Sequence, residues 1–438
     1  MNILQNIWWY LVLIGVMILI HELGHFWAAR WFDVKVETFS FGFGPRLFGF
    51  KRGETDFRFS LILFGGYVKM LGEQPGDENG ADPRALTSKP RWQRMIIAFA
   101  GPGINIVLAI ALLTGLFMQH FPKVPNPKSP VIGYLAADGA AAKAGIKLGD
   151  KIIQIEDKVN PDWEDIFPLE LMGTGRTLQV WVERGGQRLH IPVSPATEEK
   201  QGMGRLGWAP ESEIEVASVL KDMEGERAGL MRGDRLVSVN GQALRSISRL
   251  NEIESETQGA PLDLVYSRNG MEKHVTVKPV KHDADGTTRW MIGLSLAPRV
   301  EIVKLPFPQA LREAGKQSIS STQMILKYLE GLVSRRMSAK SLEGPIRIAQ
   351  LSGEAAREGL ISYIGLMAAV SLNLAIFNLI PIPILDGGVI LMLLVEMLMR
   401  RDLDLRIKET VVKVGFVFLM FVVVFVLYND LSKIFPPG

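Results

Sequence analysis

Ile7-Trp-Trp-Tyr-Leu-Val-Leu-Ile-Gly-Val-Met-Ile-Leu-Ile20 runs directly into His21-Glu-Leu-Gly-His25. The first part carries no charge, and with Trp8, Trp9 and Tyr10 as an interfacial belt it reads as a membrane-crossing helix that begins near Ile3. A helix continued through the second part sets His21 and His25 one turn apart on one face, where both imidazoles can hold one Zn²⁺. Glu22 then faces the metal's open position, placed to take a proton from water. Ionisable side chains at the end of such a run are costly unless they face a cavity or a metal. The plainer alternative is a helix end solvated at the membrane interface. A cleavable signal peptide is disfavoured, because there is no basic n-region and the motif stands where a small-residue cleavage site would be.

The 438 residues are 47% hydrophobic yet 22% charged, the balance of a membrane protein with large soluble parts. A net charge of +3 offers no broad basic surface, so nucleic acid is not an expected partner. The chain has no cysteine, which excludes disulfides and thiolate ligands and leaves His, Asp and Glu to hold a metal.

Phe39 to Met70 alternates in character and is rich in glycine and aromatics, which suggests a small β-hairpin or sheet. A free strand edge there could pair with an extended substrate. Gly65-Gly-Tyr-Val-Lys-Met70 reads as a turn and loop, and Glu73 to Lys89 as exposed. Met95 to Met118 is a second apolar span, interrupted by Gly101-Pro-Gly-Ile-Asn105. Small residues there permit close helix packing, and Asn105 could hydrogen-bond within the site, although an ordinary interhelical hydrogen bond is the plainer reading.

From Pro122 to about Arg299 the chain is soluble in character and repeats. Ala144-Gly-Ile-Lys-Leu-Gly-Asp-Lys-Ile-Ile-Gln-Ile155 matches Ala228-Gly-Leu-Met-Arg-Gly-Asp-Arg-Leu-Val-Ser-Val239 at an offset of 84 residues, the length of a small domain. The pattern resembles the PDZ domain, and Asn240-Gly241 continues the resemblance in the second copy. In the first copy Glu156-Asp157-Lys158 replaces that turn, so an altered hairpin is expected. Ile302 to Arg347 reads as an amphipathic helical segment lying on the membrane or on the core.

Leu360 to Met399 is long enough for one span and a broken segment. Its middle, Asn373-Leu-Ala-Ile-Phe-Asn378-Leu-Ile-Pro-Ile-Pro-Ile-Leu-Asp386-Gly-Gly388, cannot be one continuous helix, which suits backbone lining a buried cavity. The third histidine of the extended soluble-protease pattern is missing, since Trp31 stands in its place. Asp386, alone among apolar neighbours, is the best third ligand by elimination. Glu396 is the other candidate, although beside Arg400 and Arg401 it reads as a helix-end charge. A last span runs from Val411 to Leu427. The lysine and arginine distribution puts the loops at residues 30–94 and 400–413 in the cytoplasm and both termini and the repeats outside.

His21-Glu-Leu-Gly-His25 in the first span, a central repeated pair and Asn-x-x-Pro-x-Pro-x-Leu-Asp-Gly-Gly in a late span together resemble the site-2 protease family of intramembrane zinc metalloproteases. Gly65-Gly-Tyr-Val-Lys-Met70 and the tandem PDZ pair narrow the resemblance to the bacterial regulator of sigma-E protease type. It implies His21, His25 and Asp386 as zinc ligands, Glu22 as catalytic base, and Asn378 and Asn373 as substrate-binding residues. It also implies single-span substrates in the inner-membrane bilayer: an anti-sigma factor already trimmed on its outer side, or signal-peptide remnants, with the PDZ pair as a size filter. The expected fold is mainly α, with about four transmembrane helices, a small membrane-associated sheet and two inserted α+β, barrel-like PDZ domains. The expected divisions are residues 1–120, 121–211, 212–300, 301–347 and 348–438. Two other classes compete: a membrane-anchored PDZ adaptor that cuts nothing, and a transporter, which would need an inverted repeat of spans that the sequence lacks.

Overall fold

The computed structural model describes residues 3–73, 82–119, 121–123, 130–197, 204–284, 287–299, 301–334 and 344–434. The chain divides into two compact units. One holds residues 1–121, 303–326 and 342–438, and the other residues 122–302 and 327–341.

The first unit is built on helices. Among the described residues four are long and apolar enough to cross a membrane: α1 (Ile3–Trp31), α2 (Arg91–Gln119), Leu360–Leu379, and Arg406–Ser432 within the last helix. Pro102 lies inside α2, and the helix runs through it rather than breaking. Two prolines do stop the chain after Leu379. The segment Ile380–Leu385 turns back, and a separate helix, Asp386–Met399, begins at the carboxylate. Gly387 and Gly388 permit this reversal, because a Cβ at either position would stand 2.3 Å from a backbone oxygen of the turn.

The amphipathic helix after the repeats is Phe307–Val333; its Ala310 and Ala314 join Leu113, Phe117 and Ala368 in one apolar cluster. A helix not expected from the sequence follows, Pro345–Glu358. Its first turn is capped from a distance by Asp430, whose carboxylate accepts from the Gly344, Ile346 and Arg347 amides.

Between α1 and α2 lies the sheet formed by β1 (Val36–Arg52) and β2 (Thr55–Met70). Both strands bend back on themselves, so residues 38–41 pair with 56–59 on one side and 66–69 on the other. The segment Gly65–Met70, expected as a turn and loop, is thus an edge strand. Alternating Val68 and Met70 explain this, since both are buried against Ala29, Val36 and Ile97. Of the stretch Glu73 to Lys89, residues 74–81 lie outside the described residues. The remainder is partly packed rather than exposed: Ala85 is buried and Arg84 pairs with Glu54.

In the second unit the two repeats share their wiring. Asp150 receives Arg184 Nε at 2.7 Å and the Lys147 amide at 2.8 Å; at the same offset Asp234 receives Arg268 Nε at 2.6 Å and the Met231 amide at 2.8 Å. The flanking glycines match, with φ of 96° and 85° at Gly145 and Gly149 and 74° and 90° at Gly229 and Gly233. The altered hairpin expected in the first copy does not occur as such. Glu156 takes φ 51° where Asn240 takes 49°, and its carboxylate accepts the Gln179 amide as Asn240 Oδ1 accepts that of Asp263. The longer side chain reaches the same donor and holds the same strand register. The two turns differ at the next residue, where only Gly241 has a positive φ.

Glu254, buried on the helix Ile247–Thr257, accepts the Ile292 amide at 3.0 Å. Burial pushes its pKa up to about 7, against the lowering pull of that amide and of Arg289. An unfolded glutamate titrates near ~4.3, so the stability linked to this group is full at low pH and lost as pH rises through about 7. The opening free energy read from Ile292 amide exchange is expected to fall by about 2–3 kcal/mol between roughly pH 5 and 8. Glu254→Gln should flatten that slope, and an unchanged slope would contradict the assignment.

Candidate active site

α1 runs through the motif and on to Trp31, and its helical spacing does what the sequence requires. His21 and His25 are 7% and 9% exposed, with Nε2 atoms 3.2 Å apart. Asp386, the first residue of its helix, points into the same spot. Its Oδ2 lies 3.2 Å from His21 Nε2 and its Oδ1 3.4 Å from His25 Nε2. These three residues form a cluster, among the described residues, that could hold a metal ion. Two ligand atoms bound at ~2.0–2.1 Å in tetrahedral geometry stand about 3.4 Å apart. The observed triangle matches one face of a zinc tetrahedron in size, and the donor set of two imidazoles and a carboxylate fits a site that leaves its fourth position open.

Close helix contact makes this possible. Gly24 of α1 and Gly101 of α2 face the partner helix with no room for a Cβ: at Gly24 it would meet the Ala100 oxygen at 2.4 Å, and at Gly101 it would meet His25 Nε2 at 2.2 Å. His25 Nδ1 donates to the Ile97 carbonyl at 2.8 Å, which turns its Nε2 toward Asp386.

A cavity of about 710 Å³ opens on this triangle, lined by Glu22, Asn378 and the edge residues Gly66, Tyr67, Val68 and Met70 among others. Gly66 stands against the catalytic candidate, since a Cβ there would lie 3.0 Å from Glu22 Cγ. Asn378 Nδ2 is 3.4 Å from His21 Nε2. Asn373 lies exposed on the same helix and is not among the residues lining the cavity. Ile384, also in the wall, has φ 90°, a strained conformation for a β-branched residue and one of the kind that functional loops retain.

Glu396 is neither a ligand nor a solvated helix-end charge. It is 1% exposed, accepts from Lys408 Nζ at 2.6 Å and the Leu403 amide at 3.1 Å, and has Arg91 and Arg94 within 4 Å. Its partners come from α2 and the last helix, which no short-range pattern in the sequence announces.

The model of Peptidase family M50 matches residues 9–422. The regulator of sigma-E protease RseP of Salmonella typhimurium is 30% identical over 470 residues, covering 99% of this chain and 100% of its own length. A Vibrio cholerae protein named "Putative zinc metalloprotease" is 31% identical over 465 residues, covering 99% and 100%. The PDZ domain of an SdrC-like protein from Listeria monocytogenes aligns with 20% of this chain and 92% of its own at 21% identity, with a TM-score of 0.18, too low to place the fold. With a family match over nearly the whole length and a His–His–Asp cluster able to hold a metal ion within an apolar helix bundle, the chain belongs to Peptidase family M50, the site-2 proteases, and is a zinc metalloprotease.

Proposed function

We propose that this protein hydrolyses peptide bonds of single-span membrane proteins within the bilayer, with His21, His25 and Asp386 as zinc ligands and Glu22 as general base. The observation that carries the reading is the triangle of candidate ligand atoms 3.2–3.4 Å apart, with both histidines buried beside Glu22 on a helix whose preceding turns are uncharged. When bound, zinc lowers the pKa of a water and polarises the scissile carbonyl. Glu22 accepts a proton from the attacking water and delivers it to the leaving amine. Asn378, in the cavity wall with its Nδ2 3.4 Å from His21 Nε2, donates a hydrogen bond to the oxyanion as it develops.

A helical substrate hides its carbonyls in its own hydrogen bonds and must unwind before it is cut. The Gly66–Met70 edge, in the cavity wall next to Glu22, suits an unwound segment added as a further strand. This edge belongs to the Phe39–Met70 stretch whose free strand edge the sequence offers to an extended substrate. The substrates in this reading are an anti-sigma factor shortened on its outer side and signal-peptide remnants. The two repeats act as PDZ domains that exclude untrimmed substrates. A cleft of about 990 Å³ between Tyr134 and Leu135 of the first repeat and Arg249, Glu252 and Ser255 of the second supports that reading. The basic residues at 30–94 and 400–413 support a zinc site toward the cytoplasmic side, with the repeats and both termini outside.

Asp386→Asn tests the ligand set. The amide keeps the shape and removes the charge, so zinc affinity should fall by more than about 100-fold, since losing an outer-sphere partner alone costs ~10–100-fold. Peptide cleavage should disappear with it. Zinc retained in full by this variant would remove Asp386 from the site.

A further inference from the structure

Asn105 is the buried polar side chain that neither the ligand set nor the base explains. It sits in the middle of an apolar span and is 0% exposed. Its Nδ2 lies 3.4 Å from His21 Nδ1, the ring nitrogen on the far side from the metal triangle, and its Oδ1 has no hydrogen-bond partner among the described residues. An amide buried in hydrocarbon with an unsatisfied oxygen is costly unless a donor reaches it.

The two histidines are held differently. His25 Nδ1 meets a backbone carbonyl, which can only accept, so its tautomer is fixed with Nε2 available to a metal. His21 has a side-chain amide in the equivalent place. If His21 Nε2 is a ligand, the proton of the neutral ring sits on Nδ1, and that N–H needs an acceptor. Half a turn about the Asn105 Cβ–Cγ bond exchanges NH₂ for oxygen and puts Oδ1 there. The acceptor in question is the atom otherwise left without a partner.

We propose that Asn105 is the positioning residue of the zinc site, accepting the Nδ1–H of His21 through Oδ1 and thereby fixing the tautomer and ring plane that present Nε2. The role rests on the ligand reading of His21. An amide suits it because it supplies an acceptor without adding a second buried charge beside Asp386. The Asn105 backbone is itself held from outside the site, since its main-chain carbonyl accepts from the buried Ser371 hydroxyl at 2.8 Å.

The test uses the full chain in detergent, with zinc affinity from chelator competition and the visible spectrum of the Co²⁺-substituted protein. Asn105→Leu, similar in volume but unable to accept, should weaken zinc binding by ~10–100-fold and change the cobalt spectrum. Asn105→Asp, which restores an acceptor but adds a buried charge, should recover the cobalt spectrum and bind zinc more tightly than Asn105→Leu, and Ser371→Ala should change neither affinity nor spectrum. Wild-type affinity and spectrum in Asn105→Leu, with zinc lost in His21→Ala, would overturn the positioning role alone. Equal weakening in Asn105→Leu, Asn105→Asp and Ser371→Ala would reduce Asn105 to packing and overturn it too. Wild-type zinc affinity in His21→Ala would instead overturn the ligand reading beneath it. Should Asn105→Leu fail to fold, ¹⁵N-histidine spectra of the zinc-loaded wild type decide: a protonated Nδ1 on His21 is expected, and metal on Nδ1 contradicts the proposal.

Discussion

Alanine at position 101 is expected to abolish zinc retention and proteolysis together, although Gly101 is neither a ligand nor a base. The added Cβ would lie 2.2 Å from His25 Nε2, 2.6 Å from His25 Cε1 and 2.8 Å from His21 Cε1. These are well inside van der Waals contact, so the rings or the helices must move. The rings have little freedom, because His25 is tied to the Ile97 carbonyl, one turn before Gly101 on the same helix. A retreat of α1 from α2 would open the Gly24–Ala100 contact and carry both ligands away from Asp386. Misplacement by about 1 Å is enough to cost ~10²-fold in a catalytic geometry. Zinc affinity should fall by a similar or larger factor, while helix content stays near that of the wild type. Stoichiometric zinc and normal cleavage in Gly101→Ala would show that the approach of α2 to the ligands is not needed.

Glu22→Gln should give the opposite pattern of losses. Glu22 lies outside the ligand triangle, so zinc content should match the wild type. The amide cannot accept the proton, and cleavage should drop by about 10²–10⁴-fold, the usual worth of a positioned general base. Substrate binding should survive, because the variant leaves the Gly66–Met70 edge and Asn378 untouched. Zinc lost from Glu22→Gln would make the residue a ligand, and undiminished cleavage would remove it as the base.

The parts legible in the sequence are those in which a short spacing carries the physics. The i, i+4 separation of His21 and His25 fixes their shared face, and the structure places both imidazoles there. Asp386 follows from the cost of a lone carboxylate among apolar residues, and it closes the triangle. The Asp shared by the two repeated motifs sits alike in both copies: Asp150 and Asp234 accept the loop amides of Lys147 and Met231, and each also holds an arginine that the motif did not announce.

What was not legible depends on partners far apart in the chain. Glu396 looked like a helix-end charge because Arg400 and Arg401 follow it, whereas its cations are Arg91, Arg94 and Lys408. Gly65 and Gly66 suggested a turn, because two glycines normally mark one. Here the edge strand needs Gly66 to be small beside Glu22. Gly101 could be read only as a packing residue, since nothing in its neighbourhood names the histidine it faces.

The most direct test of the central claim is cleavage of a single-span reporter by the purified, detergent-solubilised chain, with the cut located by mass spectrometry. The account predicts a cut inside the reporter's apolar stretch that is lost on chelation, restored by Zn²⁺ and absent from His21→Ala. A cut that persists in chelator, or in His21→Ala, would contradict it.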